Sequence, residues 1–448
     1  MKLLQNGFTG ICMFIIFVNH INAQPNTSFT RQEKTFITDK AIQLLKENYV
    51  FPNRVPEIEK YIAEKLATGG YDSLNNPEEF IEFLNKDLEQ KGNDHHLDIS
   101  YGPDRVKQII AGNKNEQEGV EEKITKEWLQ KIQYENFRLR KIERLDGNIG
   151  YFNFLNFTPL APSKQSIAAA MNFLLYSNAI IIDLRENGGG YAETMNFMLS
   201  YFLKDSTPIS TLIYRKENKV IISYTLKDSS IHKIPDYIPV YILVSHRTSS
   251  AAEGFAYTLQ QYKRAVIIGE QTKGEGNPGR LFVINENLYI MIPTAEAISP
   301  VSRKSIDGTG VIPDIPINKN KALTKGLLEA YRSLAAKTDT PELKLLYQWQ
   351  IPLLENELIP APLTETIIAA ITGDYEGGRK IIYESSSLFY INSIGEKEKL
   401  DYIGKGIFQN TVKSSLRLVM PFTDKPIPGF EWTWDDGGKP QKVKRILN

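Results

Sequence analysis

A chain of 448 residues exceeds one ordinary domain, and its length predicts roughly two to three. With 42% hydrophobic and 24% charged residues, it carries enough apolar material for a sizeable core, which excludes intrinsic disorder. Lysine plus arginine equals aspartate plus glutamate at 53 each, so no net charge draws the chain to nucleic acid or an anionic membrane.

Lys2, the apolar stretch from Phe8 to Val18 and Ala23 after a polar run make the pattern of an export signal, residues 1–23. That apolar stretch is short of the ~20 residues a membrane span needs. Cleavage is expected after Ala23, giving a periplasmic or extracellular protein with no integral membrane segment; an uncleaved anchor is the alternative. Cys12, the sole cysteine, falls in the signal, so the mature chain has no disulfide, thiolate nucleophile or cysteine-based zinc site.

Residues 24–101 read as a helical region. Ile37, Ala41, Leu44 and Leu45 recur at helical spacing, as do Ile58, Ile62 and Leu66. Asn76-Pro77-Glu78-Glu79 has the chemistry of a helix start. Residues 102–147 are charged and weakly periodic and read as a surface connection. From Asn148 the pattern changes. Strands are predicted at 149–154, 179–184, 240–244 and 264–268, with helices at 163–176, 192–203 and 251–262 between them, so residues 148–320 form an α/β domain. A helical linker over 321–372 leads into short alternating strands, and residues 373–448 read as an antiparallel β domain. Its aromatics, among them Tyr375, Tyr390, Phe408, Phe430 and Trp432, suit a small core or a surface for peptide or glycan.

Three segments carry possible chemistry. Asp183-Leu-Arg-Glu-Asn-Gly-Gly-Gly190 follows a buried strand, and its glycines let backbone amides approach an anion or a developing oxyanion; the plain alternative is a turn. Thr248-Ser-Ser-Ala-Ala-Glu253 puts serines at a strand-to-helix turn, where the helix dipole favours an alkoxide. A capping box from Ser250 to Glu253 explains the same residues. Asp94-His95-His96 supplies two of the four imidazoles after the signal, the others being His232 and His246. Sequence neighbours point apart and no His-Glu-x-x-His pattern is present, so no metal or other cofactor is expected.

Taken in order, Asp183-Leu-Arg-Glu-Asn-Gly-Gly-Gly190, Thr248-Ser-Ser-Ala-Ala-Glu253, Arg264-Ala-Val-Ile-Ile-Gly-Glu-Gln-Thr272 and Gly310-Val-Ile-Pro-Asp314 resemble the catalytic domain shared by C-terminal processing peptidases, tricorn core protease and the interphotoreceptor retinoid-binding protein modules. The resemblance covers about residues 148–317. It implies a crotonase/ClpP-like ββα core between a helical N-terminal bundle and the C-terminal β domain, and a serine peptidase acting on polypeptides. Carried over, the nucleophile falls on Ser250. Glu275 stands where the processing branch has a general-base lysine, so the tricorn-like branch fits better, with His96 as base and Asp307 as the supporting acid. The resemblance places the oxyanion hole at the amides of Ala251 and of Gly188 or Gly189. Residues 97–148 are too few for a PDZ domain of about 80–100 residues.

A serine is a poor nucleophile until a base takes its proton, and an acid behind that base fixes the imidazole tautomer. Retaining serine, histidine and acid favours an acyl-enzyme peptidase over the alternative, a catalytically silent module binding an apolar small molecule or peptide.

Overall fold

The computed structural model describes residues 28–117, 126–420 and 427–446. The expected signal, residues 1–23, lies outside the described residues. The described chain opens with helices α1 (Arg31–Asn48), α2 (Val55–Ala67) and α3 (Pro77–Gly92). Thr30 and Glu33 cap α1 reciprocally, and the Asn76 side chain accepts from the Glu78 N–H at 2.8 Å before Pro77 opens α3. The three helices do not form a bundle closed on itself. Their apolar faces, including Ile37, Leu45, Ile58 and Leu88, pack against Leu288, Ile290 and Ile292 from far along the chain.

Strand β1 (Asp98–Tyr101) follows. The stretch read as a charged connection is largely regular: helix α4 (Pro103–Gln117), helix α5 (Lys126–Tyr134) and strand β2 (Leu139–Leu145). Few of its apolar side chains are buried, Val106, Ile109 and Ile132 among them, so the stripe that betrays a helix is too narrow to read.

The central domain runs β3 (Ile149–Phe154), α6 (Leu160–Leu174), β4 (Ala179–Asp183), α7 (Ala192–Leu199), β5 (Pro208–Tyr214), β6 (Lys219–Tyr224), β7 (Val240–Val244), α8 (Ala251–Gln261), β8 (Val266–Gly269), β9 (Gly279–Val283), β10 (Leu288–Pro293), β11 (Ala295–Ile298) and β12 (Ile315–Pro316). Its main sheet has the order β12-β8-β7-β4-β3-β2, parallel except for β2. Every residue of β4 and β7 is buried, because the sheet has a core on each face. Ile180, Ile182, Ile242 and Val244 face the core that α6, α7 and α8 complete. Ile181, Tyr241 and Leu243 face α9 (Ala322–Lys337) and α10 (Pro341–Leu358). Each such side chain contributes ~1.5–3 kcal/mol by leaving water.

Two small sheets flank this one. β10 pairs antiparallel with both β1 and β9, and β5 lies between β11 and β6. The first knits the N-terminal helices to the central domain. After α11 (Glu365–Ile371) come eight antiparallel strands in chain order: β13 (Gly373–Tyr375), β14 (Arg379–Glu384), β15 (Ser387–Ile391), β16 (Lys397–Tyr402), β17 (Ile407–Asn410), β18 (Leu416–Val419), β19 (Gly429–Trp434) and β20 (Gln441–Lys444). The Glu376 N–H donates to the Lys444 carbonyl and the Ile446 N–H to the Asp374 carbonyl, both at 2.9 Å, which brings the last strand back to the first. Tyr375, Tyr390, Phe408, Phe430 and Trp432 fill the interior. These five aromatics are core, whereas Tyr383 of the same sheet is exposed.

Candidate active site

β7 ends at a turn that the fold holds from several sides. Thr248 Oγ1 accepts from the Ser245 N–H and donates to the Leu184 carbonyl at the end of β4. The Ser249 N–H reaches the Asn187 carbonyl at 3.2 Å, and Ser249 Oγ donates to the Gly188 carbonyl at 3.0 Å. The serine turn and the glycine turn are thus one unit. At its tip Ser250 has φ 54° and ψ −125°, a conformation L residues rarely adopt. Glycine 189 (φ +91°) comes so close that a Cβ there would lie 2.7 Å from the Ser250 Cβ and from the Ser249 carbonyl oxygen.

Glu253 explains how the elbow is held. It is fully buried in the first turn of α8, and its carboxylate accepts four hydrogen bonds. The donors are the Ser250 N–H at 2.9 Å, the Thr272 hydroxyl at 2.5 Å, the Gly274 N–H at 2.7 Å and the Glu275 N–H at 2.8 Å. Burial pushes its carboxyl above the ordinary range, and the four donors pull it back. The capping-box reading is therefore correct in part, with Glu253 also joining the nucleophile turn to the 272–275 loop.

The two amides expected from the glycine turn are already engaged. The Gly188 N–H donates to the Leu155 carbonyl at 3.2 Å and the Gly189 N–H to Asn187 Oδ1 at 2.9 Å. An amide inside a turn's own hydrogen bonds is not available to an oxyanion. Among the described residues, the Gly190 and Ala251 N–H groups have no acceptor, and both residues border a pocket with Ser250. The expectation named Ala251 with Gly188 or Gly189; the unengaged amides beside Ser250 are those of Ala251 and Gly190. The pocket, of about 150 Å³, is lined by Met195, Ile209, Leu212, Ala297 and Ile306 among others, with Lys304 at its margin.

His96 arrives from the other core. β1 begins two residues after it, and the pairing of Asp98 with Met291 sets the histidine turn beside the 305–310 loop. The His96 N–H donates to Asp94 Oδ1 at 2.9 Å, and the Tyr49 hydroxyl donates to Asp94 Oδ2 at 2.8 Å. His96 Nδ1 lies 4.0 Å from Asp307 Oδ1 and 4.0 Å from Asp94 Oδ1, too far for a hydrogen bond to either. The structure brings His96 and Asp307 together but does not close a hydrogen-bonded chain to the Ser250 hydroxyl. His95 pairs with Glu89 and the exposed His246 with Glu270, so neither substitutes for His96. Burial lowers the His96 imidazole below its ordinary range, against the pull of Glu275 and Asp94. Burial, reinforced by the Asp94 charge, pushes the Asp307 carboxyl up to about 7. Glu275, at the position of the processing branch's lysine, is buried and ion-paired with Lys273.

The sequence reading named the motif that holds Asn187 and the three glycines, but not which of its amides stays free. The pocket walls lay outside that reading; part of them comes from β5 and β11, whose mixed polarity hides them.

A parallel α/β core presenting a serine at a strand-to-helix elbow defines a class of hydrolase-like folds. The chain belongs to peptidase family S41: residues 148–317 match that family's model, and residues 28–137 match the model described as the N-terminal domain of Peptidase_S41 in eukaryotic IRBP. It is 30% identical over 180 residues to the carboxy-terminal-processing protease of Bartonella bacilliformis, covering 39% of this chain and 40% of that one. Against the chloroplastic carboxyl-terminal-processing peptidase 1 of Arabidopsis thaliana, identity is 26% over 181 residues, 40% of this chain and 35% of the other. The matched part thus spans two fifths or less of the length of these relatives. The crystal structure of the tricorn protease superposes with a TM-score of 0.41 at 13% identity, over 73% of this chain and 37% of that one.

Proposed function

We propose that this chain is an exported serine peptidase that hydrolyses peptide bonds through an acyl-enzyme, with Ser250 as nucleophile, His96 as general base and Asp307 as the acid behind it. The observation that carries the reading is the elbow. Ser250 is held in a strained conformation beside two unengaged amides, Gly190 and Ala251, at the border of an apolar pocket. In the reaction His96 takes the Ser250 proton as Oγ attacks the carbonyl carbon, and the developing oxyanion is received by those amides. The imidazolium then protonates the leaving amine, and water repeats the sequence on the acyl-enzyme. Substrate entry would have to tighten the 4.0 Å gap between His96 and Asp307.

The pocket favours peptides with a small to medium apolar side chain next to the scissile bond. Export rests on the pattern of residues 1–23; no helix among the described residues is long and apolar enough to cross a membrane. A silent binding module would likewise need no hydrogen bond from His96 to the Ser250 hydroxyl. Labelling with a fluorophosphonate probe separates the two readings. Reaction of the wild type, lost in Ser250→Ala and in His96→Ala, is expected; a folded wild type that stays unlabelled supports the binding module.

A further inference from the structure

One carboxylate oxygen of Asp94, one ring nitrogen of His96 and one carboxylate oxygen of Asp307 lie within 4.8 Å of one another, and His96 Nδ1 is 4.0 Å from an oxygen of each acid. The three side chains are enclosed, with 0%, 13% and 6% of their surfaces exposed. His96 Nδ1 is sealed from solvent and has no hydrogen-bond partner. A buried imidazole nitrogen without a partner, facing two buried carboxylates, is poorly satisfied, since like charges and an unpaired polar atom both cost free energy in a dry site. A dication between them would offset both costs at once.

The donor set is chemically specific. One imidazole and two carboxylates, with no thiolate, make a three-ligand nitrogen and oxygen set of the kind zinc accepts, leaving a fourth position open. The ligands are oriented from behind. The Tyr49 hydroxyl holds Asp94 Oδ2 at 2.8 Å, the His96 N–H holds Asp94 Oδ1 at 2.9 Å, and the Asn277 N–H holds Asp307 Oδ1 at 3.3 Å. Tetrahedral bonds of about 2.0–2.2 Å put ligand atoms about 3.4 Å apart, so the two 4.0 Å gaps close with small side-chain rotations.

We propose that Asp94, His96 and Asp307 form a site for a divalent cation of the zinc class, and that its occupancy silences Ser250. The silencing rests on the peptidase reading given above; the binding does not. A metal on His96 Nδ1 displaces the proton that must face the acid, and a carboxylate of Asp307 committed to the metal no longer supports an imidazolium. The base is then unable to take the Ser250 proton.

Binding is tested on metal-stripped Ser250→Ala protein, which keeps all three ligands. Titration with Co²⁺ is expected to give one equivalent bound, with the visible absorption of a four-coordinate ion, displaced by Zn²⁺. Adding His96→Ala or Asp307→Asn should weaken binding at least about tenfold, in variants whose melting curves show them folded. No stoichiometric binding, or binding indifferent to both substitutions, overturns the site. For silencing, fluorophosphonate labelling of the wild type should fall over the same Zn²⁺ range and return with EDTA. Zn²⁺ bound with labelling unchanged overturns that part. A metal-free wild type that never labels sinks the peptidase reading instead, while the Co²⁺ titration still decides the site.

Discussion

The carboxylate of Glu253 holds the Ser250 N–H at 2.9 Å from inside the protein, with none of its own surface exposed. The nucleophile turn is therefore positioned by a buried acid three residues downstream.

Glu253→Gln tests that support. An amide keeps one acceptor oxygen but turns a second set of N–H donors toward the backbone N–H groups of Ser250 and Glu275. A loss of about 2 kcal/mol or more in chemical denaturation is expected, since buried donors are left unpaired. Fluorophosphonate labelling should slow as well; a variant as stable as the wild type would show that the four bonds are incidental.

Replacing Gly189 by alanine strikes the same elbow from the opposite side. The new Cβ would sit 2.7 Å from the Ser250 Cβ and 2.9 Å from the Ala251 nitrogen, at a φ of +91°. Since backbone cannot yield as a side-chain tip does, the cost is about 2–4 kcal/mol, and labelling should be lost. Thermal melting beside a labelling gel checks both. Retained labelling in Gly189→Ala would mean the two turns are less tightly joined than their hydrogen bonds state.

At Ser250 itself, function and stability are expected to part company. Its φ of 54° with ψ of −125° suits glycine and strains any L residue. Ser250→Gly should be more stable than Ser250→Ala by about 1 kcal/mol, while neither labels. Equal melting temperatures would argue against strain at the elbow.

Asp307 gives the pH dependence its sign. With its folded carboxyl raised to about 7, the folded state holds a proton that the unfolded chain releases at an ordinary carboxyl pKa of about 4. Its contribution to stability is full below about pH 4 and declines between there and pH 7 as the buried group ionises. The supporting role needs the ionised form, so labelling should rise with pH through about 7 in EDTA, where stability is falling. Asp307→Asn should lose that limb and show a shallower decline in melting temperature between pH 5 and 8. A wild-type labelling rate flat across this range would contradict the assignment.

Much of the fold was legible because it rests on local chemistry. Ile37, Ala41, Leu44 and Leu45 announce α1 by their spacing, Asn76 and Pro77 announce α3, and the apolar runs at 179–184, broken only by Asp183, and at 240–244 announce strands buried on both faces. α4 and α5 were not, since their polar surfaces conceal a narrow buried stripe. β5 and β6 escaped for a different reason. Ser210 and Ser223 sit opposite each other on the side that lines the pocket, while Val220, Ile222 and Tyr224 are exposed, which inverts the usual signal. Motifs pointed to Ser250, His96 and Asp307, but residue type does not encode which backbone amides remain free. That is why the motif did not reveal that the Gly188 and Gly189 amides are engaged while that of Gly190 is not.

The pairing of β1 with β10 also has a meaning in time. His96 is made early, yet the strand that seats it, Leu288–Pro293, is among the later parts of the central domain to be translated. A nascent chain carries a serine and a histidine that have no common frame until that strand exists. Contacts so distant in sequence form slowly, after the local helices. Whatever chemistry the finished molecule performs is thus withheld, by topology alone, from any nascent chain too short to contain that strand.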